Sequence, residues 1–298
     1  TFNMAASECD KGACPITYEE TEKIADFIKR KLSAVPLIGV MCGSGLGDLA
    51  NSLKSPTEIH YEGIPNFPVS TVPGHSGKFV FGYINEVYII LMKGRFHYYE
   101  GYSMEQLAIP VRVMKMLGVK FLLVTNSAGS INPKFDVGDI MLIKDHVGLP
   151  CLAGHNPLRG ANDTRFGPRF TSLAHCYCPE LRNIANQIGI DQKLDLKVGV
   201  YGMQCGPTYE TVAEIKLMHI LNVDAIGMST VPEVMVARHC GIRVLGFSFI
   251  SNKCALDYEV AVEPSHEEVL QAAKEKENTL RKFFVALVDK ISTIDSAQ

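Results

Sequence analysis

Three residues with chemically useful side chains alternate along one short stretch: Arg95, His97 and Tyr99. They follow an apolar run at 87–92 that is rich in β-branched and aromatic residues and therefore predicts a buried strand. If the backbone stays extended past Gly94, alternate side chains point to the same side. That side would carry a permanent cation, a titratable donor and a phenol, which suit an oxyanion and a hydroxylated ligand. A solvated strand end with ordinary polar residues is the alternative on spacing alone.

Polar, glycine-bearing loops follow several other apolar runs. In open α/β sheets the carboxyl ends of the strands face one crevice, and ligands bind there. Five polar residues stand just after such runs, namely Ser44, Arg95, Ser127, Ser229 and Asn252. Their convergence at one crevice is stronger evidence for a ligand site than any single motif.

The glycine-rich segment at 43–47 invites a comparison with nucleotide-binding loops. Its spacing is G-x-G-x-G with Asp48 in the sixth position, so it fits the dinucleotide pattern poorly, and the phosphate-loop lysine is absent. It is not a nucleophile elbow, because Cys42 stands where that motif requires its first glycine. What remains is a backbone nest with a hydroxyl that suits one phosphate, or an ordinary glycine-rich turn.

Two carboxylates and one amide add to the candidate site. Glu100 stands three residues after His97, so its carboxylate could hold the imidazole. Glu210 follows Tyr209, and an acceptor beside an aromatic face suits a flat ring that bears an N–H, although the helix dipole favours a glutamate at a helix start whatever its role. Asn252 follows an apolar strand and is either a turn residue or a paired donor and acceptor for a ligand.

Strands and helices alternate along the chain with few hairpins. This pattern predicts an α/β fold with a mostly parallel or mixed sheet covered by helices on both faces. We expect a mobile tail at 1–16 and one domain at 17–298, because no linker interrupts the composition. The main predicted elements are helices at 17–34, 103–117, 178–188, 211–221, 234–240 and 267–291, strands at 37–42, 79–83, 87–92, 119–125, 140–144, 197–201, 225–228 and 244–250, and a long irregular loop at 148–170.

Composition excludes several classes of partner. The 298 residues carry a net charge of −3, which does not favour a nucleic acid or a membrane surface. No apolar run reaches the roughly 18 residues of a membrane helix. The first residues show no secretory signal, and nine scattered cysteines favour a reducing cytoplasm over a disulfide framework. We expect no metal site, because the zinc-binding pattern that begins at His266 lacks its second histidine at Leu270.

Several longer runs together carry more information than any one of them. They are CGSGLG at 42–47, IPNFP at 64–68, STVPGH at 70–75, GRFH at 94–97, VGDIMLI at 137–143, NPLRG at 156–160 and GMSTVPEV at 227–234. With these runs the chain resembles one family, the trimeric purine nucleoside phosphorylases that prefer 6-oxopurine nucleosides. The resemblance extends from about residue 18 to the closing helix.

The resemblance implies a role for each matching position. It places phosphate at Ser44, His75, Arg95, His97, the backbone of Ser127, and Ser229, and the ribose at Tyr99, Met228 and His266. It places the purine at Tyr209, Glu210 and Asn252, and it assigns catalysis to His97, Glu210 and Asn252. In this family a neighbouring subunit covers the ribose with a phenylalanine, which corresponds to Phe170, so the resemblance also implies a homotrimer.

The implied reaction is reversible phosphorolysis of inosine, guanosine and their deoxy counterparts in purine salvage. Inorganic phosphate would be the co-substrate, and no cofactor is implied. Three positions depart from the family: Ser127 stands for alanine, Tyr209 for phenylalanine, and Cys254 for a small aliphatic residue.

Two other functions are compatible with parts of the pattern. Methylthioadenosine phosphorylases resemble this chain but generally have aspartate in place of Asn252 and an apolar residue in place of His266. A non-catalytic nucleotide-binding module of the Rossmann type would bind a cofactor and show no dependence on phosphate. Release of base without phosphate would indicate a hydrolase, although the aspartate cluster of the calcium-bound nucleoside hydrolases is absent.

Overall fold

A computed structural model describes residues 17–43, 47–71, 77–259 and 277–295 of the chain. Within these residues nine strands form one sheet. In chain order, β1 to β9 are Ile38–Cys42, Lys54–His60, Lys78–Ile84, Val87–Lys93, Phe121–Ser130, Ile140–Gly148, Lys197–Met203, Ala225–Gly227 and Arg243–Lys253.

Eight α-helices lie in the described ranges, together with three short 3₁₀ turns. The helices α1 to α8 are Tyr18–Lys29, Met104–Leu107, Ile109–Leu117, Leu149–Leu152, Pro179–Asp191, Val212–Ile220, Val231–His239 and Glu277–Asp295. The 3₁₀ turns are Gly47–Ser52, Tyr61–Gly63 and Tyr98–Glu100. The cap predicted for the first helix is present, because Thr17 and Glu20 each accept the other's backbone N–H.

The sheet is mixed, and part of it closes on itself. Its order is β2-β3-β4-β1-β5-β8-β7-β6-β9, and β9 also pairs with β5. The four strands β4, β1, β5 and β9 are parallel to one another, so their carboxyl ends lie at the same edge. The pairs β2–β3, β3–β4, β5–β8 and β6–β9 are antiparallel. The predicted α/β class with a mixed sheet is therefore confirmed.

Alternate residues of the central strands enter two cores on opposite faces of the sheet. In β4, Tyr88 and Ile90 pack into one core, whereas Ile89 and Leu91 pack into the other. The first core also contains buried residues of α1, α3 and α7, and the second contains those of α5 and α8. Because both faces are covered, these strands are apolar without a polar alternation.

Several predicted boundaries were wrong, and two of the corrections affect the site. The strands predicted to end at 125 and 250 continue to Ser130 and Lys253, so Ser127 and Asn252 lie within strands rather than in loops after them. The helix predicted at 103–117 is two helices, and Pro110 lies in the first turn of the second, where a proline is tolerated. The predicted loop at 148–170 contains the short helix α4.

The strand β2 was missed. Among the described strands it pairs with β3 alone, at the edge of the sheet, and its residues are mostly exposed. It also contains Pro56, which occurs in sheets mainly at edges and bulges, so its sequence does not resemble that of a buried strand.

The predicted tail at 1–16 and the first part of the predicted closing helix, at 267–276, lie outside the described residues. The cysteines at described positions are all free thiols. None of the helices that the structure describes combines the length and apolar character that a membrane crossing requires.

Candidate active site

A cavity of about 150 Å³ opens at the carboxyl ends of the parallel strands and beside β8. Nine of the residues proposed from sequence line it: Arg95, His97, Tyr99, Ser127, Tyr209, Glu210, Met228, Ser229 and Asn252. Gly43, Asn126, Gly129, Gly227 and Ser251 also contribute to its wall. The residues therefore converge as the strand ends predicted.

Arg95 is the fixed cation of the cavity. Its Nη1 donates to the carbonyl oxygen of Thr125 at 2.8 Å and to Oγ of Ser229 at 3.0 Å. Its Nε lies 2.9 Å from Oε1 of Glu233, and the two side chains are 2% and 1% exposed. These contacts hold the guanidinium in one orientation. Arg95 would therefore lose less conformational entropy on binding an anion than a flexible side chain would.

His97 is oriented by Glu100, as its spacing indicated. Oε1 of Glu100 accepts the backbone N–H of His97 at 2.7 Å and lies 3.1 Å from Nδ1. The other carboxylate oxygen accepts the backbone N–H and the hydroxyl of Thr71. Burial alone would raise the pKa of Glu100, but the hydrogen bonds from His97 and Thr71 outweigh it and lower that pKa to about 2. An ionised Glu100 requires a proton on Nδ1 of His97, and this contact fixes the orientation of the imidazole ring.

Tyr99 lies beside His97, and their rings stack with centroids 4.7 Å apart. Burial raises the pKa of Tyr99 to about 12, so its phenol stays protonated at neutral pH. A neutral phenol can both donate to and accept from a ligand hydroxyl.

Ser229 and Thr230 form a strained turn at the start of α7. Thr230 has φ 79° and ψ −48°, and the backbone N–H of Val231 donates to the carbonyl oxygen of Ser229 at 2.9 Å, which makes a γ-turn of the rare, strained kind. The hydroxyl of Thr230 accepts a hydrogen bond from Nδ2 of Asn126 at 2.9 Å and lies 3.2 Å from Oγ of Ser229. Strain of this type persists only where the surroundings determine the conformation, and here it fixes Ser229 beside Arg95.

Glu210 lies in the loop before α6. Burial raises the pKa of its carboxyl group, and a hydrogen bond from Nε2 of Gln204 to Oε1, at 3.0 Å, opposes that shift. Tyr209 is adjacent and about half exposed. A carboxylate beside an aromatic ring therefore faces the same cavity as Arg95.

Asn252 has a defined amide orientation. Oγ of Ser251 donates to its Oδ1 at 3.0 Å, so within the described part of the chain the NH₂ group is the end of the amide that can donate to a ligand. A Cβ atom at Gly129 would lie 3.0 Å from Nδ2 of Asn252 and 2.6 Å from Sγ of Cys254. A larger residue at Gly129 would therefore displace the amide.

Four further residues were proposed from sequence. Ser44, His75 and His266 lie outside the described residues. Phe170 is 90% exposed and does not line the cavity of its own chain. Within the described ranges, no group of three or more histidine, cysteine, aspartate or glutamate residues is placed to hold a metal ion.

Four supporting residues were missed from sequence: Glu233, Thr71, Gln204 and Ser251. Each of them forms a hydrogen bond or an ion pair with a residue that the sequence had suggested for the site. Ser251 adjoins Asn252 in the chain and could have been found by proximity, whereas the other three contacts depend on tertiary structure.

The arrangement can bind two chemical groups at once. Arg95, His97 and Ser229 suit an oxyanion, and Glu210 and Asn252 provide an acceptor and an amide for a heterocycle. Tyr99 and Met228 line the same cavity and suit a sugar. A nucleoside and a phosphate match this combination.

Comparisons with known proteins agree with this geometry. The family model for the phosphorylase superfamily matches residues 37–289. The purine nucleoside phosphorylase of Rattus norvegicus is 50% identical over 279 residues, which cover 92% of this chain and 96% of the rat protein. Crystal structures of Schistosoma mansoni purine nucleoside phosphorylase with adenosine and with inosine each have a TM-score of 0.89 at 42% identity, covering 93% of this chain and 99% and 98% of theirs. The chain therefore belongs to the phosphorylase superfamily, among the purine nucleoside phosphorylases.

Proposed function

We propose that this enzyme catalyses the reversible phosphorolysis of 6-oxopurine nucleosides. Inosine, guanosine and their deoxy counterparts react with inorganic phosphate to give the free base and ribose or deoxyribose 1-phosphate. Inorganic phosphate is the co-substrate, and the chemistry needs no cofactor. The relatives named purine nucleoside phosphorylase support this reaction, as does the relative solved with inosine.

One observation carries the proposal: a single cavity holds an oxyanion site and a base site. Arg95 is fixed next to Ser229 by a 3.0 Å hydrogen bond, whereas Glu210 and Asn252 supply the polar groups of the base site. Tyr99 and Met228 also line the cavity and provide a position for the sugar. A nucleotide-binding module would hold the same three groups, so the dependence of base release on inorganic phosphate is what distinguishes the enzyme from such a module.

The reaction places opposite charges on the two halves of the nucleoside. As the glycosidic bond breaks, positive charge develops on the ribose and negative charge on the purine. Phosphate held by Arg95, His97 and Ser229 offsets the charge of the sugar and then attacks C1′ as the nucleophile. His75 and Ser44 complete this phosphate site in the proposal, with His266 at the 5′-hydroxyl.

Asn252 stabilises the leaving base. Ser251 donates to Oδ1 of Asn252, so the amide NH₂ group is available to donate to N7 of the purine. A preorganised donor aimed at developing charge typically contributes about 3 kcal/mol to a rate. An aspartate at this position, as in methylthioadenosine phosphorylases, would not supply the same permanent donor.

Glu210 selects the base. A 6-oxopurine carries a proton on N1, which an ionised carboxylate accepts, whereas N1 of adenine has only a lone pair. A relative from Schistosoma mansoni has been solved with adenosine, so the selectivity proposed here concerns catalytic efficiency rather than exclusion of adenosine from the site. A mismatch of a buried hydrogen bond lowers efficiency strongly because the site's polar group is left without its partner.

We further propose that the enzyme works as a homotrimer in cytoplasmic purine salvage. The exposed ring of Phe170 supports this assembly, because its own chain does not bury it and a neighbouring subunit's ribose site offers a place for it. Each site would then need a residue from a second chain.

A coupled assay for base release tests the function. Hypoxanthine formed from inosine is followed by its oxidation with xanthine oxidase, with and without inorganic phosphate. Release that requires phosphate supports the proposal. Equal release without phosphate, or none under either condition, would refute it.

A further inference from the structure

We propose that Gln204 is a positioning residue that holds the Glu210 carboxylate for the base and thereby sets the preference for 6-oxopurines. The inference rests on the proposed function, because it concerns how the same site chooses its base. Gln204 belongs to none of the sequence motifs that suggested the site, and its side chain forms a hydrogen bond with none of the described residues proposed for phosphate or ribose. It nevertheless makes three hydrogen bonds within the loop at 204–210, which carries Glu210.

Those hydrogen bonds tie the loop into a ring. Oε1 of Gln204 accepts the backbone N–H of Gly206 at 2.8 Å. Nε2 donates to the carbonyl oxygen of Thr208 at 2.7 Å and to Oε1 of Glu210 at 3.0 Å. The amide thus uses both ends, and an aliphatic side chain of the same length could not reproduce any of the three contacts.

The backbone of Gln204 is itself fixed. Its N–H donates to the carbonyl oxygen of Gly227 at 3.0 Å, directly before Met228 in the chain. The side-chain amide of Gln204 therefore extends from a backbone that is hydrogen-bonded to β8. Through this amide, the position of Glu210 is fixed relative to the sheet.

The loop has little room to shift. A Cβ atom at Gly206, where φ is 69°, would lie 2.5 Å from Sδ of Met228 and 3.0 Å from Cδ1 of Tyr99. The loop thus packs closely against the two side chains proposed for the ribose. A displacement of Glu210 would therefore change the angle between base and sugar as well as the base contact.

The hydrogen bond from Gln204 also restricts the orientation of the carboxylate. Oε1 accepts it at 3.0 Å, and the remaining lone pairs of the two oxygens stay available for N1–H of a 6-oxopurine. Burial raises the pKa of Glu210, and hydrogen bonds from its own backbone N–H and from the side chain of Gln204 counteract that effect. Loss of the donor would favour the protonated carboxyl, which can donate to N1 of adenine.

The other titratable groups around Glu210 do not replace Gln204. Glu214 in α6 raises the pKa of Glu210. The thiol of Cys254 and the phenol of Tyr209 have pKa values raised mainly by burial, so both are neutral at physiological pH. Gln204 is the side chain, among those described, that donates a hydrogen bond to this carboxylate.

The first test replaces Gln204 with methionine, which keeps the length and removes both polar ends. We expect the ratio of catalytic efficiencies for inosine and adenosine to fall about tenfold, the effect of one hydrogen bond to a charged group. The change should appear mainly in KM for inosine. The acid limb of the pH profile for inosine should move upward, since the ionised carboxylate of Glu210 loses a hydrogen bond that lowers its pKa.

The second variant, Gln204→Glu, keeps the acceptor for Gly206 and removes the donor. Its carboxylate can still accept the N–H of Gly206, but it loses the contact with Thr208 and faces Glu210 with like charge. Two such carboxylates share a proton, so the acid limb should move further upward than in Gln204→Met. If the side chain served only to hold Gly206, Gln204→Glu would instead retain the native ratio.

Gln187→Met is the matched control. Gln187 makes the same kind of contact, with Nε2 2.9 Å from Oδ1 of Asp191, but on the exposed face of α5. We expect native selectivity and a native pH profile in this variant.

The outcomes distinguish the two levels of the proposal. Wild-type enzyme without phosphate-dependent release of base would refute the proposed function itself. Active wild type together with an unchanged ratio and acid limb in Gln204→Met would overturn the role of Gln204 alone. Equal losses on inosine and adenosine with an unmoved acid limb would also overturn it, because they indicate a merely structural role. If Gln204→Met does not fold, Gln204→Glu provides the test. The proposal is overturned if the efficiency of Gln204→Glu with inosine declines at the same acidic pH as that of the wild type.

Discussion

Glu233 forms a buried ion pair with Arg95, with Oε1 of the carboxylate 2.9 Å from Nε of the guanidinium. The two residues belong to different parts of the fold: Glu233 lies in the first turn of α7, and Arg95 follows β4. The negative charge of Glu233 compensates the buried cation, to which we expect phosphate to bind. The pair therefore lowers the free-energy cost of burying Arg95 within the core.

Removing the charge of Glu233 should destabilise the protein most when phosphate is absent. In Glu233→Gln the buried guanidinium loses its counter-charge, and breaking such a pair typically costs about 3 kcal/mol or more. We expect denaturation midpoints to fall in phosphate-free buffer and to recover in part when phosphate is added, because the ligand supplies negative charge and binds only the folded state. The measurement is urea denaturation with and without phosphate.

Glu180→Gln provides the comparison for this experiment. Glu180 pairs with Arg243, but its side chain is 56% exposed, and an exposed ion pair contributes about 1 kcal/mol or less. Equal destabilisation of the two variants, or no phosphate-dependent recovery in Glu233→Gln, would contradict the role assigned to the buried pair.

Replacing Asn252 should reduce turnover. Without the amide donor the purine leaves with uncompensated charge, so we expect Asn252→Ala to lower kcat for inosine by about 10²–10³, with KM for phosphate little changed. Ser251→Ala should give a smaller loss, because the amide remains but Oδ1 loses the hydroxyl that orients it. Steady-state kinetics in both substrates decide this, and native turnover in Asn252→Ala would remove the residue from catalysis.

The pH dependence should report the ionisation of Glu210. Burial raises the pKa of this carboxyl group, and the ionised form accepts N1–H of the base. Efficiency with inosine is therefore expected to be present above the raised pKa and to decline as pH falls through it, at a higher pH than for an ordinary glutamate. Glu210→Gln should abolish this acid limb and narrow the preference for inosine over adenosine.

Glu214→Gln controls for charge near the same loop. Glu214 caps α6 by accepting the N–H of Thr211, and a glutamine retains that capping geometry. Because the charge of Glu214 contributes to the raised pKa of Glu210, the acid limb should persist in this variant but move to lower pH, and the base preference should be kept. Comparable efficiency of the wild type on adenosine and inosine would contradict the role of Glu210.

Subunit mixing should reveal whether Phe170 serves a neighbouring site. Phe170→Ala is expected to raise KM for inosine about tenfold, equivalent to roughly 1.4 kcal/mol. Coexpression of Phe170→Ala with Asn252→Ala chains should then give more activity than the sum of the two separate variants, because an intact pocket receives an intact phenylalanine. Leu152→Ala, at another exposed apolar position, should have no such effect. Strictly additive activities would contradict a shared site.

Local patterns predicted the parts of the site that depend on neighbours in sequence. The spacing of His97 and Glu100 predicted their pairing, and the structure confirms it at 3.1 Å. Arg95, His97 and Tyr99 also share one cavity as predicted, although not by continued extension of the strand. The backbone turns at Gly94, where φ is 104°, and again in the 3₁₀ turn Tyr98–Glu100.

Contacts made by distant segments could not be read from the chain. The pairing of Glu233 with Arg95 needs β4 and α7 to meet across the core, and neither residue's local surroundings specify that contact. The continuation of β9 through Asn252 was missed because its polar end resembles a loop, whereas pairing with β5 satisfies its backbone. Hydrogen bonding between strands thus outweighed the local composition.

The central claim is that phosphate, not water, attacks the sugar. The most direct measurement is phosphorus NMR of a reaction that contains inosine and inorganic phosphate, with hypoxanthine quantified in parallel. We expect a ribose 1-phosphate resonance to grow in a 1:1 ratio with hypoxanthine while the phosphate signal declines. Hypoxanthine formed together with free ribose, at constant inorganic phosphate, would contradict the claim.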